Sequence, residues 1–243
     1  MSSQYTLHKS TNPFHLDDKF TSLSGRWSRR TIQSWIESLL GLRELAQRYA
    51  DLPVAASPGE FVRHCFKALK IDYVIEAGYV DNIPQTGATV VVANHPFGAV
   101  EGMLLIEMLS QYRNDVRVMA NGLLKRIPEV QEVFLGVNPY GHQSAVRENA
   151  QALRQATRWL KQGGLLVVFP AGDVASLRWG QLSLKDGRWD SSIARLARLC
   201  DAAVVPVHFS GRNSTLFCAA GLLHPIFKTV LLPRELLNKR NTT

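Results

Sequence analysis

Cysteine is scarce and scattered in this chain: Cys65, Cys200 and Cys218 are the only three, and no two form a Cys-x-x-Cys pair. That spacing suggests neither a zinc site nor a disulfide framework, and the three read as ordinary reduced core residues of a cytosolic protein. No uninterrupted apolar run reaches the roughly 18 residues of a membrane-crossing helix. The N-terminus carries Asp17 and Asp18 without a long apolar segment, so it does not read as a signal peptide. No Gly-x-Gly-x-x-Gly follows the first strand-like runs, which argues against a dinucleotide enzyme. A Gly-x-Ser-x-Gly elbow is missing, which argues against a covalent serine hydrolase. His-Glu-x-x-His is missing too, with no third-ligand cluster for a metal hydrolase. There is no internal repeat and no low-complexity tract. Acidic residues are in deficit, 20 against 28 Lys and Arg, for a net charge of +8. Such a surface calls for an anionic partner: phospholipid, carrier protein, CoA or nucleic acid. The basic residues are dispersed, without a recognisable RNA- or DNA-binding motif, so nucleic acid is not expected.

What is present suits one large domain, or a core with a small appendage. The chain has 243 residues, 46% of them hydrophobic and 20% charged, ample for a buried core. Residues 1–57 read as an arm and a basic amphipathic helix, and residues 58–243 as the main domain. The first 24 residues are polar and rich in Ser and Thr. From 26 to 52, Trp27, Ile32, Trp35, Ile36, Leu39, Leu40, Leu42 and Leu45 alternate with Arg26, Arg29, Arg30, Arg43 and Arg48. Such a helix can lie on anionic lipid, or its apolar stripe can pack on the domain. Both readings stay open at this point.

A helix over 58–69 is announced by Ser57-Pro58, and strand and helix signals alternate after it. Strands are expected at 72–77, 89–93, 116–120, 133–137, 165–169 and 203–209. Helices are expected at 102–112, 144–161 (ended by Gly163-Gly164) and 191–200. Nearly continuous apolar strands separated by helices imply an α/β fold, a mostly parallel central sheet flanked by helices. An apolar stretch over 222–232 runs into a polar tail without a closing element, so the chain reads as a portion of a longer protein, truncated at the C-terminus.

The most informative segment is Asn94-His95-Pro96-Phe97-Gly98-Ala99-Val100-Glu101-Gly102. It breaks an apolar strand and opens an apolar helix. Residues six apart on one helix differ by about 240° in direction, so His95 must stand in the turn before the helix that carries Glu101. Pro96 suits such a junction, and Gly98 permits a strained turn. Glu101 can then accept from one imidazole nitrogen and leave the other to take a proton. A helix-capping His-Pro turn with a solvated Glu fits the same spacing.

This block resembles the Asn-His-(four residues)-Asp block of the glycerolipid (lysophosphatidate) acyltransferase superfamily, and most closely its bacterial hemolysin-like branch, with His-Pro-x-Gly-x-x-acid. Three later segments fall in the order the resemblance implies, over residues 70–232. Gly136-Val137-Asn138-Pro139-Tyr140 and the helix bearing Arg147 correspond to a second block, whose arginine helps hold an anionic acceptor. Here the arginine is displaced along the chain, and an exposed helix residue is the plain alternative. Phe169-Pro170-Ala171-Gly172-Asp173 matches the family's Phe-Pro-Glu-Gly-Thr-Arg-Ser only in part, with Ala171 and Val174 at the Glu and Arg positions. Loss of those two groups argues against lysophosphatidate. Asp173 restores an acid that would suit a lyso-aminolipid, or it caps the next segment. Arg178 is a candidate for the missing positive charge. Residues 204–211 correspond to a fourth block, lining an acyl channel or forming a plain buried strand.

The resemblance thus implies transfer of a fatty acyl chain from acyl-CoA or acyl carrier protein to a lysolipid hydroxyl in membrane lipid synthesis. His95 and Glu101 would be catalytic; Asn138, Arg147, Phe169, Pro170, Gly172 and Asp173 would bind substrate. Backbone amides of the Pro96–Gly98 turn would hold the oxyanion. No metal or redox cofactor is required, and the protein would work peripherally on the cytoplasmic face of the cell membrane. The alternative is a non-catalytic, basic lipid- or nucleic-acid-binding module.

Overall fold

The computed structural model describes residues 13–14, 37–76, 78, 80–138, 143–178, 181–223 and 225–239. At its centre lies a five-stranded sheet, formed by β1 (Thr89–Ala93), β2 (Val116–Asn121), β3 (Phe134–Val137), β4 (Leu165–Val168) and β7 (Ala203–Val207). Their order is β3-β2-β4-β1-β7, and every pairing is parallel. Two short strands, β5 (Ser176–Arg178) and β6 (Gln181–Lys185), form a separate antiparallel hairpin that the strand signals did not anticipate. Seven α-helices are described: α1 (Leu42–Ala50), α2 (Pro58–Leu69), α3 (Ala99–Leu109), α4 (Gln143–Lys161), α5 (Ser192–Leu199), α6 (Thr215–Leu223) and α7 (Pro225–Asn238).

Alternation along the strands sorts the core into two layers. Val91, Ala93, Val118, Leu165 and Val167 pack with Phe61, Val62, Leu105 and Ile106 of α2 and α3. Val90, Leu135, Leu166 and Val168 face the other way, against Ala156 and Leu160 of α4 and Ile193 and Leu196 of α5. The result is the expected α/β arrangement, helices on both faces of a parallel sheet.

Local chemistry explains the element ends. Ser57 accepts the Glu60 amide at 3.2 Å, Glu60 accepts the Ala56 amide at 2.6 Å, and Pro58 occupies the first turn of α2. Behind the sheet, Arg113 is buried and acts as a staple. Its guanidinium donates to Asp115, to the carbonyls of Pro84, Gly87 and Gly163, and to Thr89 Oγ1. It thereby joins the entries to β1, β2 and β4.

Two expectations need correction. Residues 72–76 form no strand. Val74 is left 70% exposed, and the segment is moored through Tyr73, whose hydroxyl donates to Glu107 at 2.8 Å. The fourth apolar run, β7, is neither interior nor fully covered. It is an edge strand with Val204 half exposed, the position where Pro206 costs no shared ladder bond. The apolar stretch over 222–232 is divided between α6 and α7, and the polar residues from Arg234 onward continue α7 to Asn238. That helix folds back over the domain, with Leu237 against Gly41 and Leu232 against Gly98.

The N-terminal half of the amphipathic pattern, with Trp27, Ile32, Trp35 and Ile36, lies outside the described residues. Its C-terminal part, α1, buries Leu42, Leu45 and Tyr49 on the domain, and Tyr49, Leu52 and Ala55 share a core with α2. Among the described residues, no helix is long and apolar enough to cross a membrane.

Candidate active site

The site is built where β1 leaves the sheet. Asn94 pins two strand exits together: its side chain donates to the Phe209 carbonyl at 2.9 Å and accepts the Phe209 amide at 2.7 Å. His95 is then clamped by its own backbone. Its amide donates to Asp186 at 3.1 Å, and its carbonyl accepts the Ala175 amide at 2.8 Å. The imidazole stacks on Phe169, ring centroids 4.3 Å apart and planes inclined by 29°.

Glu101 is the third residue of α3 and fully buried. Its Oε1 accepts the amides of Phe97 at 2.5 Å and Gly98 at 3.1 Å, the bonding expected of a carboxylate at a helix N-terminus. The same oxygen lies 3.5 Å from His95 Nδ1. That approach is not a formed hydrogen bond. His95 Nδ1 and Glu101 Oε2 are both buried atoms without a hydrogen-bond partner. The imidazole and the carboxylate thus stand side by side with a bond between them left unmade. Gly98 is required for this turn: its φ is +99°, and a Cβ there would stand 2.4 Å from Leu232.

The amides expected to form an oxyanion site are otherwise engaged. Pro96 has no N–H, and the Phe97 and Gly98 amides donate to Glu101. The turn therefore positions the acid rather than the reacting carbonyl.

The third block is only partly a surface for ligands. Phe169 and Pro170 are buried, Phe169 as the platform under His95. Gly172 is exposed with φ +68°. Asp173 accepts its neighbour's amide, that of Val174, and forms an ion pair with Lys228 of α7. The Lys228 ammonium is buried and also donates to the Val174 carbonyl and Ser176 Oγ. It fastens α7 to the loop whose Ala175 amide holds His95. Replacing Lys228 by Met leaves those acceptors without a donor and is expected to cost about 1–3 kcal/mol. A denaturant midpoint equal to wild type would remove this anchoring role. Arg178 ends β5, and its side chain lies outside the described residues.

Asn138 and Arg147 are not brought to His95. Asn138 follows β3, three strand positions from β1, a lateral separation of about 14 Å. It is tied to Glu148 and Asn149 of α4, and Arg147 is exposed on the same helix. Among the described residues, no cluster of His, Cys, Asp and Glu is placed to hold a metal ion.

Beside His95 opens a cleft of about 430 Å³, lined among others by Asn94, Pro96, Asp186, Trp189, Arg212 and Asn213. The Lys239 ammonium lies 4.4 Å from the centre of the Phe97 ring and donates to the Arg212 carbonyl at 2.7 Å. Burial pushes the Lys239 pKa down, against the attraction of Glu235 and Glu101. Asp186, Lys228 and Asn213 escaped the sequence reading. Lys228 alone left a signal, as the one charge inside the apolar stretch 222–232.

An acyltransferase family model matches residues 11–231, nearly the whole chain. The chain belongs to that acyltransferase family. Among characterised relatives, it is 27% identical over 195 residues to a lyso-glycine lipid O-acyltransferase of Phocaeicola vulgatus, covering 76% of this chain and 65% of the relative. A lyso-glycine lipid O-acyltransferase of Bacteroides thetaiotaomicron is 26% identical over 159 residues, covering 65% of this chain and 55% of the relative. The chain thus spans under two thirds of either relative's length. The crystal structure of the 1-acyl-sn-glycerophosphate acyltransferase PlsC of Thermotoga maritima is 26% identical, with a TM-score of 0.40, covering 72% of this chain and 65% of that one. In this chain the His-Pro turn, the acid and the Phe169 platform meet at the carboxyl end of the parallel sheet, where such folds place their ligands.

Proposed function

We propose that this acyltransferase moves a fatty acyl chain from a thioester donor, acyl-CoA or acyl carrier protein, to the hydroxyl of a lysolipid. The observation that carries this reading is the pair of buried orphans, His95 Nδ1 and Glu101 Oε2, beside a cleft. With Nδ1 sealed, solvent reaches the ring, 16% exposed, from its other side. There the imidazole takes the acceptor hydroxyl's proton as the oxygen attacks the thioester carbonyl. A carbon–oxygen bond forms, the carbon–sulfur bond breaks, and the proton passes from His95 to the leaving thiolate. Glu101 completes its bond to Nδ1 as the imidazole becomes charged, since catalytic hydrogen bonds commonly tighten only in the reacting complex. A thiolate leaves readily, so no nucleophile from the protein is needed.

The names of the two bacterial relatives support a lysolipid acceptor, and the absent Glu and Arg of the third block fit an acceptor other than lysophosphatidate. The +8 charge and the basic amphipathic pattern within residues 26–52 support peripheral work on the inner face of an anionic membrane. The test is transfer of labelled acyl groups from acyl-CoA and acyl carrier protein to lysophosphatidate and to lyso-aminolipids presented in vesicles. Turnover of at least one pair is expected. No turnover from folded protein with any pair would sink the reading.

A further inference from the structure

The turn between His95 and Glu101 is held from outside by a side chain that takes no part in the acyl-transfer steps above. Asn213 is buried, 3% exposed, in the segment between β7 and α6. Its Nδ2 donates to the Phe97 carbonyl at 3.0 Å. That carbonyl belongs to the same peptide unit as the Gly98 amide, which donates to Glu101 Oε1 at 3.1 Å. One peptide plane is thus gripped at both ends, by Asn213 on its oxygen and by Glu101 on its nitrogen. Gly98, with φ +99° and ψ −80°, leaves the plane free to rotate as no other residue would. Rotation would take the Gly98 amide off the carboxylate and bring the Phe97 carbonyl towards it.

Asn213 is itself anchored. The next residue, Ser214, opens α6: its Oγ accepts the Phe217 amide at 3.2 Å. Glu235 of α7 accepts the Ser214 amide at 2.9 Å and its hydroxyl at 2.5 Å. On the other side, Gly211 has φ +112° and lies against the Phe97 ring, where a Cβ would stand 2.7 Å from Cζ. Residues 211–213 therefore meet Phe97 at both its ring and its carbonyl. The second half of the Asn213 amide adds nothing, because Oδ1 is buried without a partner. Such an orphan costs stability. A leucine has the same branched outline and would spare that cost, so packing does not explain an asparagine here. Its donor does.

Resting on the acyltransferase reading above, we propose that Asn213 is a positioning residue for acyl transfer. It locks the Phe97–Gly98 peptide so that both turn amides stay on Glu101 Oε1 and the carboxylate stays beside His95 Nδ1. Asn213 acts through Glu101 and makes no contact with the imidazole. Without it the carboxylate follows the loosened turn, and the imidazolium formed during transfer loses its support. Substrate binding does not pass through this contact.

The experiment compares wild type with Asn213→Leu and Asn213→Ala, each with Glu101 intact or replaced by Gln. Labelled transfer from both thioester donors to lysolipids and the thermal midpoint are measured on the same preparations. Either Asn213 variant is expected to lose about ten- to a hundredfold in kcat with little change in either KM, the pattern of a catalytic group displaced by roughly an ångström. In the Glu101→Gln background the same substitutions should cost less than about threefold, because the group being positioned is already gone. The Asn213→Leu midpoint should stay close to that of wild type, since the orphaned oxygen leaves together with the donor. An unchanged kcat, a loss confined to KM, equal losses in both backgrounds, or failure of both variants to fold would overturn the positioning role. Each of those leaves the acyl-transfer reading in place. Absence of turnover by wild type with every donor and acceptor would overturn both.

Discussion

His95→Ala is expected to abolish measurable acyl transfer while the protein stays folded. Loss of a positioned general base costs about 10²- to 10⁴-fold. The structural consequence is small by comparison. The residue's backbone bonds to Asp186 and Ala175 do not involve the side chain, and only the stacking on Phe169 is lost. Labelled transfer and a thermal midpoint, measured on the same preparation, separate the two effects. Transfer within twofold of wild type would remove His95 from the chemistry. Glu101 gives a different pattern, because it serves two ends. Glu101→Gln retains an oxygen for the Phe97 and Gly98 amides but loses the charge that stabilises the imidazolium, so activity should fall more than stability. Glu101→Ala strips both amides of their acceptor inside a sealed site and should lower both.

The second large effect lies on the opposite side of the sheet. Arg113→Met is expected to destabilise the domain by about 1–3 kcal/mol, the cost of leaving buried acceptors without their donor. Carbonyls of Pro84, Gly87 and Gly163 would then lose a donor together. Chemical denaturation reads this directly, and a change below about 1 kcal/mol would show that the staple is redundant. A pH dependence follows from the same network. Hydrogen bonds from Arg113 hold the Asp115 carboxyl below its ordinary value of 3.8, against the opposing effect of burial. A depressed folded-state pKa stabilises fully above 3.8 and is lost as pH falls from there through the folded value. Wild type should therefore lose this increment on acidification below 3.8, and Arg113→Met should lack most of that slope.

Legibility from sequence followed the range of the forces involved. Strands β1, β2, β3 and β4 were readable because each is a short apolar run cut off by turn residues. The start of α2 was readable because Ser57, Pro58 and Glu60 act within four residues of one another. The hairpin of β5 and β6 was missed although it is local, Ser176 pairing with Lys185 nine residues on, because its strands are only three and five residues long. Residues 72–76 show the converse failure: a run read as a strand that joins no sheet.

The candidate site divides along the same line. The sequence by itself determined that His95 precedes a helix and Glu101 rides on its first turn, because a six-residue spacing permits little else. It also determined the strand–helix alternation and the basic surface. Only the tertiary structure decided that Glu101 turns to the Phe97 and Gly98 amides, that Asp173 pairs with Lys228, and that Asn138 and Arg147 stand three strands away. It alone placed Asp186, Arg212 and Asn213 around the His95 turn. The contacts of Lys228, Asp186 and Asn213 join residues 55 to 116 positions apart, and the packing of the parallel sheet, which no local pattern encodes, sets their distances.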